Sequence, residues 1–269
     1  MIRESIKKEL EKHKNKPDII KIWYIKEYLQ TIVLKQMYEL RETKDLIFYG
    51  GTSLRFLFWL NRLSEDLDFI GQNFDGFEIV AKHLQSFFVS DGVDIQVKMQ
   101  KFRIMLNFKD FLSDFGINFW ASKDLYLKIE ISEHFAFCKN YQIKLYPIFK
   151  YNQSLVIKSL DKSSLFSTKL NAVLYRNWTK QIWEEKISVK WRDIYDLFWY
   201  LSNSFQPNID CIDGVVSMDD LKQKLKTIIE KIDFKEVILD IENFLEDDTL
   251  LEFMKNNGKE YILEQIDML

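Results

Sequence analysis

Leu46-Ile47-Phe48-Tyr49-Gly50-Gly51-Thr52-Ser53-Leu54-Arg55 and, a few residues on, Arg62-Leu63-Ser64-Glu65-Asp66-Leu67-Asp68-Phe69-Ile70-Gly71 decide how this 269-residue chain is read. The apolar run 46–49 has strand length and ends in two glycines, which suits a buried strand closing in a turn. Residues 53–61 then read as a helix, and 67–70, closed by Gly71, as the next strand. Gly50, Gly51, Thr52 and Ser53 fall between strand and helix, where backbone N–H groups and the positive helix end can hold a phosphate. Glycine suits such a turn because the backbone must approach a ligand closely or take φ > 0. An ordinary strand-to-helix turn has the same composition, so the glycines alone do not settle the matter.

Asp66 and Asp68 add weight, about 15 residues past the turn. On a strand, positions i and i+2 point to one face, so both carboxylates project together while Leu67 faces a core. Two like charges so close repel, and a divalent cation removes the conflict. Mg²⁺ (or Mn²⁺) prefers carboxylate and phosphate oxygens, and two such ions about 3.5–4 Å apart clamp the attacking and leaving oxygens of a phosphoryl or nucleotidyl transfer. Asp66 and Asp68 are therefore the first metal-ligand candidates.

A third acid is offered by residues 126–132, where Leu127, Ile129 and Ile131 face one way and Lys128, Glu130 and Ser132 the other. Glu130 joins the aspartates if the two strands are neighbours; otherwise Lys128 and Glu130 form the exposed face of an edge strand. Arg62 and Ser64 precede the pair. The planar fork of Arg62 can hold triphosphate oxygens, or it can pair with Glu65 or Asp66.

Working outward, hydrophobic residues make up 47% and aromatics 15% of the chain, ample for a packed core. Only 8 glycines and 3 prolines punctuate it, which predicts long regular elements. Helices are expected at 18–40 and 76–88, and strands at 93–99, 102–108 and 126–132. From about residue 163 the pattern turns helical, at 165–175, 192–202, 218–232, 235–244 and 249–255. The expectation is an α+β chain, a mixed sheet with flanking helices followed by a C-terminal helical lobe. The boundary falls between 150 and 162, giving domains 1–158 and 159–269.

The formal charge of −3 and a pI near 5.8 argue against coating nucleic acid by bulk electrostatics but allow a local basic groove. From Lys169 to Arg192, six basic residues with Arg176, Lys180, Lys186 and Lys190 face only Glu184 and Glu185, interleaved with three tryptophans. Such a stretch can track an RNA backbone and stack a base, or be a helical hairpin with a solvated face and core tryptophans. Asp193 and Asp196 can be acids of a site or simply cap and decorate a helix start. His13, His83 and His134 lack the spacing of a zinc site or a nucleophilic triad. Cys138 and Cys211 form no CxxC pair, so neither a thiolate metal site nor a disulfide framework is expected, and a reducing cytoplasm fits. No apolar run approaches the roughly 18–20 residues of a membrane span, and residues 1–16 hold no apolar signal core; the chain is expected to be cytoplasmic, with no membrane partner.

The blocks Gly50-Gly51-Thr52-Ser53-Leu54-Arg55 and Arg62-Leu63-Ser64-Glu65-Asp66-Leu67-Asp68-Phe69 together resemble the signature of the AbiEii/AbiGii-type nucleotidyltransferase toxins, of the DNA polymerase β-like superfamily. A later block is similar too: Lys169-Leu-Asn-Ala-Val-Leu-Tyr-Arg176, then Arg192-Asp193-Ile194-Tyr195-Asp196-Leu197. Many such proteins work in bacterial toxin–antitoxin or abortive-infection systems, and relatives of the MenT kind add nucleotides to tRNA 3′ ends. The resemblance implies Asp66 and Asp68 as metal ligands, Gly50, Gly51 and Thr52 as the phosphate turn, Lys169 as a nucleotide-phosphate contact and Asp193 as an essential acid. The full expectation is a Mg²⁺-dependent nucleotidyltransferase moving NMP from an NTP to a tRNA 3′ end, with a cognate antitoxin partner. In it Asp66, Asp68, Glu130, Lys169 and Asp193 serve catalysis, and Gly50, Gly51, Thr52, Ser53, Arg62, Ser64, Lys169, Arg176 and Asp196 hold the NTP. Nucleotidylation of a protein, or a nucleotide-binding regulatory module without turnover, are the alternatives.

Overall fold

The computed structural model describes residues 1–117, 123–133, 138–175, 179–182, 185–188 and 191–269, with side chains described outside 176–190. The chain folds as two compact units. The first holds residues 1–59, 63–135 and 143–159; the second holds 60–62, 136–142 and 160–269.

In the first unit the elements run α1 (Ile2–Lys12), α2 (Asp18–Glu39), β1 (Ile47–Tyr49), α3 (Gly50–Phe58), β2 (Leu67–Ile70), α4 (Phe77–Ser90), β3 (Ile95–Gln100), β4 (Arg103–Phe108), β5 (Leu125–Ser132), β6 (Ile143–Lys150) and β7 (Gln153–Leu160). Seven strands form one mixed sheet in the order β3-β4-β5-β2-β1-β7-β6. Burial follows the alternation of the sequence: Phe48, Leu67, Phe69, Leu127 and Ile129 are fully buried in a core that also takes Leu29 and Val33 of α2 and Leu84 and Phe88 of α4. Covering one face of a sheet with helices leaves the alternate positions outward, which is where the charged side chains lie. β6 and β7 occupy residues for which the sequence pattern predicts no element. Pro147 inside β6 obscures the strand pattern, and β6 tolerates it because it lies at the sheet edge.

One buried acid fixes α3 within this unit. Glu27 of α2 is 4% exposed and pairs with Arg55 of α3, with Lys150 Nζ at 2.8 Å, and accepts from the Tyr151 hydroxyl at 2.9 Å. Burial disfavours its charge, but Arg55 and Lys150 outweigh that and keep its pKa below the ordinary glutamate value.

The second unit holds α5 (Lys162–Tyr175), the hairpin β8 (Thr179–Ile182) and β9 (Glu185–Ser188), α6 (Arg192–Ser202), α7 (Met218–Lys231), α8 (Phe234–Ile241) and α9 (Asp248–Asp267). The hairpin corrects the expectation of an all-helical second half. α9 also runs past the expected end at 255. Its buried residues Met254, Gly258, Ile262 and Ile266 recur every fourth position, and Gly258 sits mid-helix because a Cβ there would lie 2.6 Å from the Phe234 ring. Cys138 and Cys211, expected to be unpaired, form a disulfide that ties residues 138–142 to the turn at Ile209–Cys211. A pairing across 73 residues leaves no local signature. Cysteine usage therefore no longer argues for a reducing compartment.

Candidate active site

β1 delivers the chain directly into α3, with Gly50 at φ +81°. The first N–H groups of a helix have no acceptor within it, so the start of α3 presents backbone donors. The hydroxyls next to them point elsewhere: Thr52 donates to the Asp66 carbonyl and Ser53 to the Gly50 carbonyl at 2.8 Å. Gly51, Thr52 and Ser53 are all buried as whole residues, so at the start of α3 it is Gly50 that reaches the surface.

β1 and β2 are antiparallel with Tyr49 opposite Asp68, which brings Asp68 beside the turn. A Cβ on Gly50 would lie 2.5 Å from Asp68 Oδ2. Asp66 and Asp68 are both half-buried and flank the fully buried Leu67, as the i, i+2 spacing predicts. Gln30 of α2, 1% exposed, donates to the carbonyls of Ser64 and Glu65 at 3.0 Å each and so holds the approach to Asp66. Sequence reasoning missed Gln30, since a glutamine within a long amphipathic helix carries no signal of its own.

β2 and β5 are parallel neighbours with Asp68 opposite Glu130, so the adjacency on which Glu130 depended is present. Its carboxylate is nonetheless taken by cations: Lys128 Nζ lies 3.1 Å and Arg103 Nε 3.0 Å from Glu130 Oε2. Lys128 Nζ also lies 2.9 Å from Asp66 Oδ2. Burial disfavours both charges, yet Asp66 and Glu130 hold the Lys128 pKa above the ordinary lysine value, while Lys128 and Arg103 hold Glu130 below the ordinary glutamate value. Lys128 thus bridges two of the three acids expected to converge on a metal, Asp66 and Glu130, while Glu130 lies on the strand next to Asp68. Among the described residues, no group of three or more His, Cys, Asp or Glu side chains is arranged to hold a metal ion. Asp66 and Asp68 remain as a pair of outward oxygen donors suited to a hard divalent cation, so these residues fit such an ion.

In the second unit a separate charged cluster forms. Arg62 and Asp196 make a two-pronged pair, Nε to Oδ1 at 2.6 Å and Nη2 to Oδ2 at 2.8 Å, with Arg62 3% and Asp196 0% exposed. Lys169 Nζ lies 2.8 Å from Asp196 Oδ2 and 3.2 Å from Asp193 Oδ1. Arg62, expected either at a triphosphate or on Glu65 or Asp66, thus has a partner that neither alternative named. α5 and α6 bring Lys169, Asp193 and Asp196 together, and Asp196 is enclosed. Arg176 and His134 lie outside the described residues.

The Gly50 geometry carries a prediction. Gly50→Ala places a side chain in a left-handed conformation and against the Asp68 carboxylate, so it is expected to destabilise the fold by about 1–3 kcal/mol. Turnover at this site should fall at least about tenfold, because a few tenths of an ångström at the carboxylate matter to positioning. Urea unfolding and initial-rate assays on the same preparation measure both; an alanine variant with full activity would show that the close approach is not used.

A family model described as "Nucleotidyl transferase AbiEii toxin, Type IV TA system" matches residues 32–260. No curated protein matches the chain. Among solved structures, the crystal structure of JHP933 from Helicobacter pylori is similar over 89% of this chain and 91% of its own, with a TM-score of 0.50 and 17% identity. A second H. pylori crystal structure, of a "putative nucleotidyltransferase", covers 89% of this chain and 90% of its own, with a TM-score of 0.47 and 18% identity. With the family match spanning most of its length, the chain belongs to the AbiEii family of nucleotidyl transferase toxins of type IV toxin–antitoxin systems.

Proposed function

We propose that this nucleotidyltransferase moves a nucleoside monophosphate from an NTP to the 3′ hydroxyl of an RNA, the tRNA 3′ end, with Mg²⁺ held by Asp66 and Asp68. The observation that carries the reading is Asp68 seated against Gly50 at the first turn of α3, which sets carboxylates and backbone N–H donors side by side. When bound, the cation supplies charge neutralisation at the phosphates. In this reading the positive end of α3, at Gly50, faces the outer phosphates of the NTP. The acceptor oxygen attacks the α-phosphorus, the bond to the bridging oxygen breaks, and pyrophosphate leaves. The hydroxyl proton passes to water, because Asp66 and Asp68 are engaged with the cation and Glu130 with Lys128 and Arg103. Glu130, kept ionised by Lys128 and Arg103, is a weak base; its role is to fix Lys128 beside Asp66.

Lys169 and Asp193 contribute, in this reading, a phosphate contact and an essential acid, with Asp196 and Arg62 positioning Lys169 rather than touching substrate. The type IV system to which the family belongs implies an antitoxin as partner. Among the described residues no helix is long and apolar enough to cross a membrane.

Purified protein incubated with labelled NTPs, Mg²⁺ and total RNA tests the proposal. Label is expected in tRNA. Label confined to protein, or appearing in no macromolecule, would refute the RNA acceptor.

A further inference from the structure

The open face of the sheet continues from the aspartates across three strands. Glu130 on β5 lies opposite Arg103 on β4, and Arg103 opposite Gln100 on β3; Tyr126 lies opposite Asn107, and Met105 opposite Lys98. Residues directly opposite share a face, so all of these project on the side of Asp68. The other face of the same strands is core, with Ile104, Leu106, Leu127 and Ile129 fully buried.

Three features of this face suit a single-stranded nucleic acid. On β3, β4 and β5 this face carries Lys98, Arg103 and Lys128 against Glu130: Lys98 is exposed and makes no ion pair among the described residues, and Arg103, whose Nε pairs with Glu130 at 3.0 Å, is still 48% exposed at its side chain. Tyr126 is 48% exposed, and its hydroxyl donates to Asp124, just before β5, and accepts from Asn107 on β4, each at 3.4 Å. Asn107, 7% exposed, has an Oδ1 that accepts no hydrogen bond among the described residues. An unsatisfied buried amide oxygen is uncommon, and here it lies across from the one large exposed ring on β5. Amide and basic side chains around an exposed aromatic, on a sheet, match how bases are stacked and phosphates tracked.

We propose that the outward face of β3, β4 and β5 is the bed for the single-stranded end of the acceptor RNA, Lys98 and Arg103 holding phosphates and Tyr126 stacking a base. This rests on the RNA-acceptor reading above and adds the surface that reading lacks. β3 lies two strand spacings, about 10 Å, from β5, so a strand crossing it reaches the aspartates without leaving the sheet.

Binding without chemistry tests it: fluorescence anisotropy of a labelled single-stranded RNA whose 3′ end is blocked against extension. Wild type is expected to bind with strong salt dependence. Lys98→Ala should reduce the slope of log affinity against log salt by about 0.7. Tyr126→Ala should weaken binding about tenfold, and Tyr126→Phe should restore it. NTP binding by each variant, measured by calorimetry, should match wild type. Absence of RNA binding by wild type, or equal binding by all variants, overturns the assignment. So does loss of labelling of a protein acceptor in variants that keep RNA affinity, which would give this face to a protein. Failure of the acceptor reading itself shows separately, as wild type that binds RNA but transfers no label to it.

Discussion

Asp68→Asn is expected to lower nucleotide transfer about a thousandfold, roughly 4 kcal/mol at the transition state, the scale of a lost cation-holding carboxylate. Stability should change by less than about 1 kcal/mol, because Asp68 is half-buried on an outward sheet face and one of two like charges is removed. The pairing of a large rate loss with a small stability loss distinguishes chemistry from folding. Asp66→Asn should behave similarly in rate, and it also deprives Lys128 of one of its two carboxylate partners. Initial rates with saturating NTP, beside urea unfolding of the same samples, provide the check; a variant retaining more than about a tenth of the wild-type rate would remove Asp68 from the mechanism.

Asp196→Ala is expected to destabilise the helical unit by about 3–5 kcal/mol, since it leaves the guanidinium of Arg62 and the ammonium of Lys169 buried with one neutralising acid fewer. Replacing the pair together, Arg62→Met with Asp196→Leu, should cost much less, because the desolvation of both charges disappears with them. Urea unfolding of the single and double variants decides it. The same pair sets a pH dependence. Burial disfavours the charged carboxylate, but Arg62 and Lys169 outweigh it and depress its pKa to about 2. A depressed folded-state value means that the stabilisation is complete above the unfolded value, near pH 4, and is lost as pH falls toward 2. Circular dichroism of wild type against Asp196→Asn should show wild type losing its advantage only in that acid window.

The Gly50 turn, the outward aspartates and the identity of β1, α3 and β2 were all legible in the sequence, because each depends on neighbours within one or two elements. Alternation also placed Lys128 and Glu130 on one face of β5. It could not say that Arg103 sits opposite Glu130, or that Lys128 bridges Glu130 to Asp66. β6 was missed for a local reason. Pro147 and a run of exposed apolar residues make an edge strand look like a loop.

Local chemistry is written into the order of the residues: where a backbone can present N–H donors, and which two carboxylates must share a face, since strand periodicity and glycine's freedom act over a few positions. Partners are chosen only on folding. Asp68 against Gly50, Arg62 on Asp196, Cys138 on Cys211 and the strand order of the sheet all join residues far apart in the chain. Those contacts are selected by what remains to be buried and neutralised once the core has closed, and no local pattern encodes that remainder.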